Sequence, residues 1–270
     1  MKAILKNLLV PVAKPLLSKI HRYKDAHKGE SCYLMGDGIS IKWFDLGAFS
    51  NKTSIPCGLI PFHNDFDKLS VRYLSMVEPW WFYPWARDPA TTGRYKKNSR
   101  QFAYREIINR HQDKNFFISL SNYPVLNNKN ITYIFQNFHD ERLPENFITH
   151  RINGFASSLR SSISLAIYMG FDHIYLVGYD YTHIPSRSLH WYEKGRGVFF
   201  SHENYNKDFF EIAKEFIDIT TITLDGTSDF INAVTYKEHT GLNPIYRENT
   251  ELLGEEYLEV LASWSGYEIF

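Results

Sequence analysis

Short apolar runs separated by polar turns recur along most of the chain. Compact runs of this kind are typical of strands that are buried on both faces of a parallel sheet. The sequence therefore predicts a series of short strands in the interior of a sheet. The predicted strands span residues 31–35, 55–62, 73–77, 116–120, 131–135, 174–178 and 220–224.

Two segments carry apolar residues at helical spacing instead. Ser157 and Ser158 are suited to cap the start of the first segment, and Gly170 ends it. Strands that alternate with helices, each ending in a polar turn, predict an α/β domain with a largely parallel sheet. The apolar positions are Leu159, Ile163, Ala166 and Ile167 in the first segment and Phe209, Ile212, Ala213, Phe216 and Ile217 in the second.

The strand predicted at 174–178 turns polar at once, through Tyr179, Asp180 and Tyr181. In open α/β sheets, ligands bind beyond the carboxyl ends of the strands. We therefore expect Asp180 and its neighbours to overhang a binding site.

A glycine-rich turn follows the first predicted strand in the same way. Gly36, Asp37 and Gly38 lead to Ser40. Glycines let a backbone approach a phosphate closely, and the loop amides donate to it. A Gly-x-Gly sequence after a strand is also an ordinary turn, so the motif alone leaves both interpretations open.

The stretches between the predicted elements differ in character. Residues 184–200 are polar and irregular, and a loop of that length inside a compact domain is usually functional, a lid in particular. Ser201 and His202 follow it directly, and Ser228 lies in the polar turn after the strand at 220–224. Residues 87–105 are basic and rich in small polar side chains, which predicts an exposed loop.

Charge and composition limit the function classes. The chain of 270 residues has 30 Lys and Arg and 30 Asp and Glu, which argues against a nucleic-acid-binding protein that works by bulk charge. Cys32 and Cys57 are far apart and form no CxxC pair, so neither a zinc site nor a disulfide framework is indicated. A reducing cytoplasm fits this cysteine content best.

Residues 1–28 form a basic amphipathic segment, which we separate from a domain that spans residues 29–270. The segment contains seven Lys or Arg residues and one acidic residue. Its charges and Pro11 and Pro15 make it unsuited to span a bilayer. The pattern fits a segment that lies on a membrane surface as well as it fits a helix packed on the domain or on a partner.

Several well-known catalytic motifs do not occur in the sequence, among them the phosphate loop of nucleotide hydrolases, His-Glu-x-x-His, Gly-x-Ser-x-Gly and the full Gly-x-Gly-x-x-Gly. The one Asp-x-Asp, from Asp65 to Asp67, lies in a stretch without strong strand signals, and we interpret it as a solvated turn. If the protein is a glycosyltransferase, we therefore expect its donor to be used without a metal ion.

The chain resembles the bacterial sialyltransferases of glycosyltransferase family 42, and more loosely the related nucleotide-sugar-dependent proteins of surface glycan assembly. The resemblance covers roughly residues 31–236, and its elements occur in the order that the family has. These elements are the Gly-x-Gly-x-Ser loop (Gly36 to Ser40), the serine-led helix and apolar strand (Ser158 to Gly178), Gly-x-Asp with an aromatic residue (Gly178, Asp180, Tyr181), a lid, Ser201-His202, a helix and a strand with a closing turn (Ser228 to Asn232).

The resemblance implies a single Rossmann-like domain, a variant of the GT-A type, whose largely parallel sheet is flanked by helices, with a small lid at about 181–205. It implies transfer of a nonulosonic sugar, sialic acid-like or Kdo, from a CMP-activated donor, with inversion and without a metal or other cofactor. By position, His202 is the general base, and Tyr181 or Tyr192 stabilises the departing phosphate, beside Asp180. The residues expected at the donor nucleotide are Gly36, Asp37, Gly38, Ser40, Asn64, Ser157, Ser158, Gly178 and Ser228.

The expected acceptor is a glycan or glycolipid of surface polysaccharide, capsule or lipooligosaccharide synthesis. We expect a cytoplasmic protein without nucleic-acid partners, with attachment to the inner membrane and homo-oligomer formation left open. Two departures from the family pattern also leave alternatives open. Asp37 replaces an Asn and Thr182 replaces a Tyr, and a carboxylate that faces a phosphate is electrostatically unfavourable. Asp37 would then bind a ribose hydroxyl or turn away. The alternative functions are a nucleoside-diphosphate-sugar transferase and a nucleotide-binding subunit without catalysis.

Overall fold

The computed structural model describes residues 13–83, 99–134, 158–203, 206–264 and 266–270. In these ranges strands and helices alternate, joined by short 3-10 helices. The strands are β1 Ser31–Met35, β2 Thr53–Pro56, β3 Tyr73–Met76, β4 Asn115–Ser119, β5 Ile131–Ile134, β6 His173–Val177, β7 Ser186–Arg187, β8 Phe199–Phe200, β9 Asp218–Thr223 and β10 Asn232–Thr235. The helices are α1 Arg100–Arg110, α2 Ser158–Tyr168, α3 Lys207–Ala213, α4 Tyr236–Thr240, α5 Asn249–Leu252 and α6 Glu255–Ala262.

The central sheet is parallel. Five strands pair in the order β10-β9-β6-β1-β2, and β3-β4-β5 form a second parallel group in the described part of the chain. Single bridges from Ser54 to Val71 and from Cys57 to Ser75 join the two groups side by side. The predicted Rossmann-like α/β architecture with a largely parallel sheet is therefore confirmed.

The strand order reverses between β1 and β6. From β1 the chain moves outward through β2 to β5, and it then returns to place β6 on the other side of β1. Met35 and Val177 are partners in register at the carboxyl ends of these two strands. In open α/β sheets the ligand crevice lies at such a reversal.

The sheet is covered on both faces. Cys32 and Leu34 of β1 belong to one buried apolar cluster, which includes the buried face of α2. Tyr33 and Met35 belong to a second cluster on the opposite face. Alternate residues of one strand therefore enter two cores, which is why the strand reads as a continuous apolar run in the sequence.

Some predictions of local structure were wrong. The strand predicted at 55–62 ends at Pro56, because Gly58 turns the chain with φ +58° and Pro61 opens a short 3-10 helix. The predicted loop at 87–105 is helical from Arg100, where Ser99 accepts a hydrogen bond from the amide of Phe102; residues 84–98 lie outside the described residues. The helices α4, α5 and α6 of the carboxyl-terminal part were not predicted.

The described half of the amino-terminal segment packs on the domain. Residues 13–17 are helical and continue into a 3-10 helix, Ser18–Tyr23. Ile20 is fully buried, Tyr23 joins the core cluster, and the Lys19 ammonium donates to the carbonyl of Lys129 at 2.6 Å. Residues 13–28 therefore pack on the domain. Residues 1–12 lie outside the described residues. None of the described helices is long and apolar enough to cross a bilayer.

Candidate functional site

A cavity of about 420 Å³ opens at the carboxyl edge of the sheet, where the strand order reverses. Its volume lies in the range that is common for small-molecule sites. The turns after β1, β2, β3 and β6 each contribute to its lining, through Asp37, Cys57, Glu78 and Tyr179. The first residues of α2 and part of the predicted lid complete the wall.

Gly36 and Gly38, in the turn after β1, allow this turn to lie close to the turn after β6. The amides of Gly36 and Gly38 donate to the carbonyls of Val177 and Gly178, both at 2.8 Å. A Cβ atom at Gly38 would lie 2.3 Å from Asp180 Oδ2, and one at Gly36 would lie 2.8 Å from the Gly178 carbonyl oxygen. Both positions therefore need glycine for packing, whatever ligand the cavity holds. Gly38 and Gly178 line the cavity.

Asp180 does not face the cavity. Its side chain is buried, and Oδ2 accepts a hydrogen bond from the amide of Ser40 at 2.9 Å. Burial raises the pKa of Asp180. The expectation that this turn overhangs a site therefore holds for Tyr181 and Thr182, which line the cavity, while Asp180 and Ser40 hold the two turns together.

The Asp37 carboxylate is engaged within the protein. It accepts from the amide of Leu59 at 2.9 and 3.0 Å and from the Trp191 indole at 3.1 Å. It fills the space that a side chain at residue 58 would take, because a Cβ atom on Gly58 would lie 1.8 Å from Asp37 Oδ2. Burial raises the pKa of Asp37, and the nearby His190 partly offsets this. The Asp37 carboxylate therefore stands at the cavity wall with its hydrogen bonds already made within the protein.

The centre of the predicted lid is clamped to the β1 turn. Gly38 and His190 form a backbone bridge, and the amide of Trp191 donates to the Asp37 carbonyl at 3.2 Å. Trp191 and Tyr192 are buried, and Tyr192 lines the cavity from within the core. Only the outer part of this region forms a separate hairpin, the two-stranded ribbon of β7 and β8.

His190 and Glu193 form a pair at the cavity wall. Nδ1 of His190 lies 2.7 Å from Oε2 of Glu193, a carboxylate that is itself buried. Burial would lower the pKa of His190, but the hydrogen bond to Glu193 and the charge of Asp37 outweigh it and raise this pKa. Burial would raise the pKa of Glu193, but the hydrogen bonds from His190 keep it below its usual value.

Glu78 enters the cavity from the end of β3. Its Oε1 accepts from the Ser158 hydroxyl at 3.3 Å, and its Oε2 is enclosed and has no hydrogen-bond partner among the described residues. Burial raises the pKa of Glu78. Ser158 and Leu159, the first described residues of α2, also line the cavity.

His202, the base implied by the family resemblance, lies beside the cavity and is absent from its lining. Its ring is 5.5 Å from the ring of Tyr181, which does line the cavity and is 45% exposed. Nδ1 of His202 lies 2.9 Å from the backbone carbonyl of Glu203.

Two other predicted donor contacts do not reach the cavity. The Asn64 amide donates to the Glu251 carbonyl at 3.1 Å, and the Ser228 hydroxyl donates to the Thr182 carbonyl at 2.8 Å. Neither side chain lines the cavity. Ser157 lies outside the described residues.

Sequence reasoning missed several residues of the cavity wall. Glu78 follows a correctly predicted strand, and the rule that singled out Asp180 would have found it. His190 and Glu193 are three residues apart in the predicted lid, and that spacing was a usable signal. Tyr267 lines the cavity from the carboxyl-terminal end of the chain, and no local pattern indicates it. No cluster of three or more His, Cys, Asp or Glu side chains suited to a metal ion occurs within the described ranges.

No protein-family model and no curated protein matches the chain. Among solved structures, the chain is similar to a Tyr-to-Phe variant of the sialyltransferase CST-II in complex with CMP. The two share 14% identity, the match covers 87% of this chain and 98% of that chain, and the TM-score is 0.46. The sialyltransferase CstII from Campylobacter jejuni in complex with CMP-3FNeuAc has 16% identity, 87% and 99% coverage and a TM-score of 0.44. An apo alpha-2,3-sialyltransferase from Campylobacter jejuni has 14% identity, 81% and 84% coverage and a TM-score of 0.42.

Proposed function

We propose that this protein is a glycosyltransferase that takes a sugar from a CMP-activated donor. The observation that carries the proposal is the position of the cavity, at the carboxyl ends of β1 and β6 where the strand order reverses. Nucleotides bind at this point in open α/β sheets. Two motifs of the resemblance to family 42 lie at this edge of the sheet. They are the turn from Gly36 to Ser40 and the segment of α2 that begins at Ser158.

The amino terminus of α2 is the proposed phosphate position. Ser158 and Leu159, the first described residues of α2, line the cavity, and the dipole of a helix start favours an anion. Arg160 follows, and its Nε donates to Oδ1 of Asn206, another residue of the cavity wall, at 2.9 Å. The Asp37 carboxylate lines the same cavity and is already held by hydrogen bonds from Leu59 and Trp191.

Glu78 makes the proposed binding pH-dependent. In the ionised form Glu78 repels a phosphate in the cavity, and in the protonated form this repulsion is absent. Because the pKa of Glu78 is raised by burial, the protonated form persists to higher pH than for an ordinary glutamate. Nucleotide affinity should therefore fall as the pH rises through this pKa.

For the rest of the reaction, the proposal follows the sequence resemblance. The sugar is a nonulosonic acid of the sialic acid or Kdo type, and the acceptor is a glycan or glycolipid of surface polysaccharide synthesis. Tyr181, Tyr192 and Tyr267 give the cavity aromatic faces, which suit contacts with sugar and base rings.

Thermal unfolding with a panel of nucleotides tests the donor. A ligand that binds only the folded protein raises its melting temperature by mass action. We expect CMP to raise it without added divalent metal, and EDTA to leave the shift in place. A response to UDP alone, or one that EDTA abolishes, would favour the nucleoside-diphosphate-sugar alternative. If CMP binds and no CMP-sugar turns over, the protein is a nucleotide-binding subunit.

Membrane attachment is a separate proposal, and it concerns residues 1–12. This part of the sequence combines Lys2 and Lys6 with Ile4, Leu5, Leu8 and Leu9. Basic residues near anionic headgroups contribute about 1 kcal/mol each, and the apolar residues would add to this. We expect the full chain to float with anionic vesicles, and a chain that begins at residue 13 to float much less. Equal flotation of both chains would contradict the proposal.

A further inference from the structure

The two ring nitrogens of His190 have different surroundings. Nδ1 lies 2.7 Å from Oε2 of Glu193, and the same oxygen accepts from the backbone amide of His190 at 2.7 Å. An ionised carboxylate only accepts hydrogen bonds, so the proton of the neutral imidazole lies on Nδ1. Nε2 therefore carries the lone pair.

The lone pair on Nε2 is accessible. Nε2 has no hydrogen-bond partner in the described part of the chain, and it is not among the enclosed polar atoms without a partner. The ring lines the cavity, and 40% of the side chain is exposed. It is held in place by stacking on Tyr192, with centroids 5.0 Å apart and 4° between the planes, and by an edge contact with Tyr267.

His202 differs from His190 in the accessibility of its Nε2 atom. Its Nδ1 lies against the backbone carbonyl of Glu203, which as an acceptor places the proton on Nδ1 and the lone pair on Nε2. That Nε2 atom is enclosed and has no partner among the described residues. A substrate in the cavity cannot reach it without a rearrangement of this stretch.

We propose that His190, oriented by Glu193, accepts the proton of the acceptor hydroxyl, and that His202 does not. The inference rests on the proposed glycosyl transfer. The acceptor oxygen forms a bond to the anomeric carbon as its proton passes to Nε2, and the bond from this carbon to the CMP phosphate oxygen breaks, with its electron pair leaving on CMP. His190 is then an imidazolium paired with the Glu193 carboxylate, and it returns the proton to solvent. Glu193 is a positioning residue, since it acts through His190.

The charges around His190 set the expected pH dependence. Glu193 from its own loop, Asp37 after β1 and Asp180 after β6 favour the charged ring, while burial among Tyr192 and Tyr267 opposes it. The pKa of His190 is raised as a result, so the rate should rise with pH through a value above that of an ordinary histidine. Glu193→Gln removes the carboxylate that raises this pKa most. The acidic limb of the pH profile should therefore move to lower pH.

The decisive measurement is the rate of CMP release from a CMP-activated nonulosonic acid with a glycan acceptor, for matched histidine variants. We expect His190→Asn to lower kcat by ~100-fold or more, the usual scale for a general base, with CMP binding retained. Glu193→Gln should lower kcat less and shift the acidic limb. His202→Asn should have a much smaller effect than His190→Asn. His173→Asn, at the amino end of β6, controls for the loss of a partly buried histidine.

The reverse ranking, with His202→Asn inactive and His190→Asn active, would overturn the inference. A loss of CMP binding in His190→Asn would make His190 a structural residue. Nitrogen-15 NMR of the histidine rings gives a readout without turnover. We expect the Nδ1–H tautomer for His190 in the wild type and a loss of this preference in Glu193→Gln, and an Nε2–H tautomer in the wild type would overturn the inference. Failure of the proposed function is distinct, since the wild type would then show neither CMP binding nor CMP release.

Discussion

Asp37 follows β1 and Glu78 follows β3, so both carboxylates stand at the carboxyl edge of the sheet and line the same cavity. Asp37 accepts hydrogen bonds from the Leu59 amide and the Trp191 indole. Glu78 accepts from Ser158 alone among the described residues, and one of its oxygens has no partner. Position at a strand end thus brings a side chain to the cavity, while the donors around it decide how many of its hydrogen bonds are made within the protein.

Removal of the Asp37 carboxylate should have the largest effect on stability. Asp37→Ala leaves the Leu59 amide, which lies in a buried residue, and the Trp191 indole without their acceptor. We expect a loss of about 2 kcal/mol in the free energy of unfolding, measured by denaturant titration. Asp37→Asn retains one acceptor oxygen and should lose less than half of this. Unchanged stability of Asp37→Ala would show that the hydrogen bonds from Leu59 and Trp191 to this carboxylate are not needed for the fold.

Trp191→Phe should have an intermediate effect. The substitution keeps most of the buried aromatic bulk and removes the indole donor to Asp37. A hydrogen bond of this kind contributes about 1 kcal/mol, and we expect a loss of that size. The combination with Asp37→Ala should cost less than the sum of the two single changes, because both remove the same bond. Strict additivity would argue that the indole and the carboxylate act independently.

Glu78→Gln should have the smallest effect on stability. The amide keeps the shape of the side chain and the acceptor for Ser158, so we expect a change within about 0.5 kcal/mol. The raised pKa of Glu78 means that its favourable contribution is full at low pH and is lost as the pH rises through the folded-state pKa. Glu78→Gln should therefore show a shallower loss of stability with rising pH than the wild type.

Glu78→Gln also tests how Glu78 affects CMP binding. In the wild type, CMP affinity should fall as Glu78 ionises, and in Glu78→Gln it should stay nearly constant, as followed by thermal shift or calorimetry at several pH values. Asp37 has a raised pKa as well and gives a stability slope of the same sign, so the difference between wild type and Glu78→Gln is the quantity to compare. Identical pH profiles would show that the charge of Glu78 does not act on the bound nucleotide.

Much of the central architecture could be predicted from local pattern. The strands β1 and β6 and the helix α2 agree with their predicted ranges to within one or two residues, because each is a compact apolar run or a helical face bounded by serine or glycine. Their parallel arrangement follows from the alternation of strand and helix. Helix α1 escaped prediction because the basic and polar residues around Arg100 suggested a loop, although Tyr104, Ile107 and Ile108 are buried.

Local pattern was enough to predict a polar site at the carboxyl edge of this sheet, because the polar turns directly follow the apolar strands. Which polar side chains face the cavity was decided by the tertiary structure. Asp180 turns inward because the Ser40 amide, 140 positions away in the chain, supplies a donor for its carboxylate. Asp37 is held by Trp191 from a loop 154 positions away, and this contact also places His190 at the cavity wall. The direction of a side chain at a strand end depends on such distant donors, and no local pattern of apolar and polar residues encodes them.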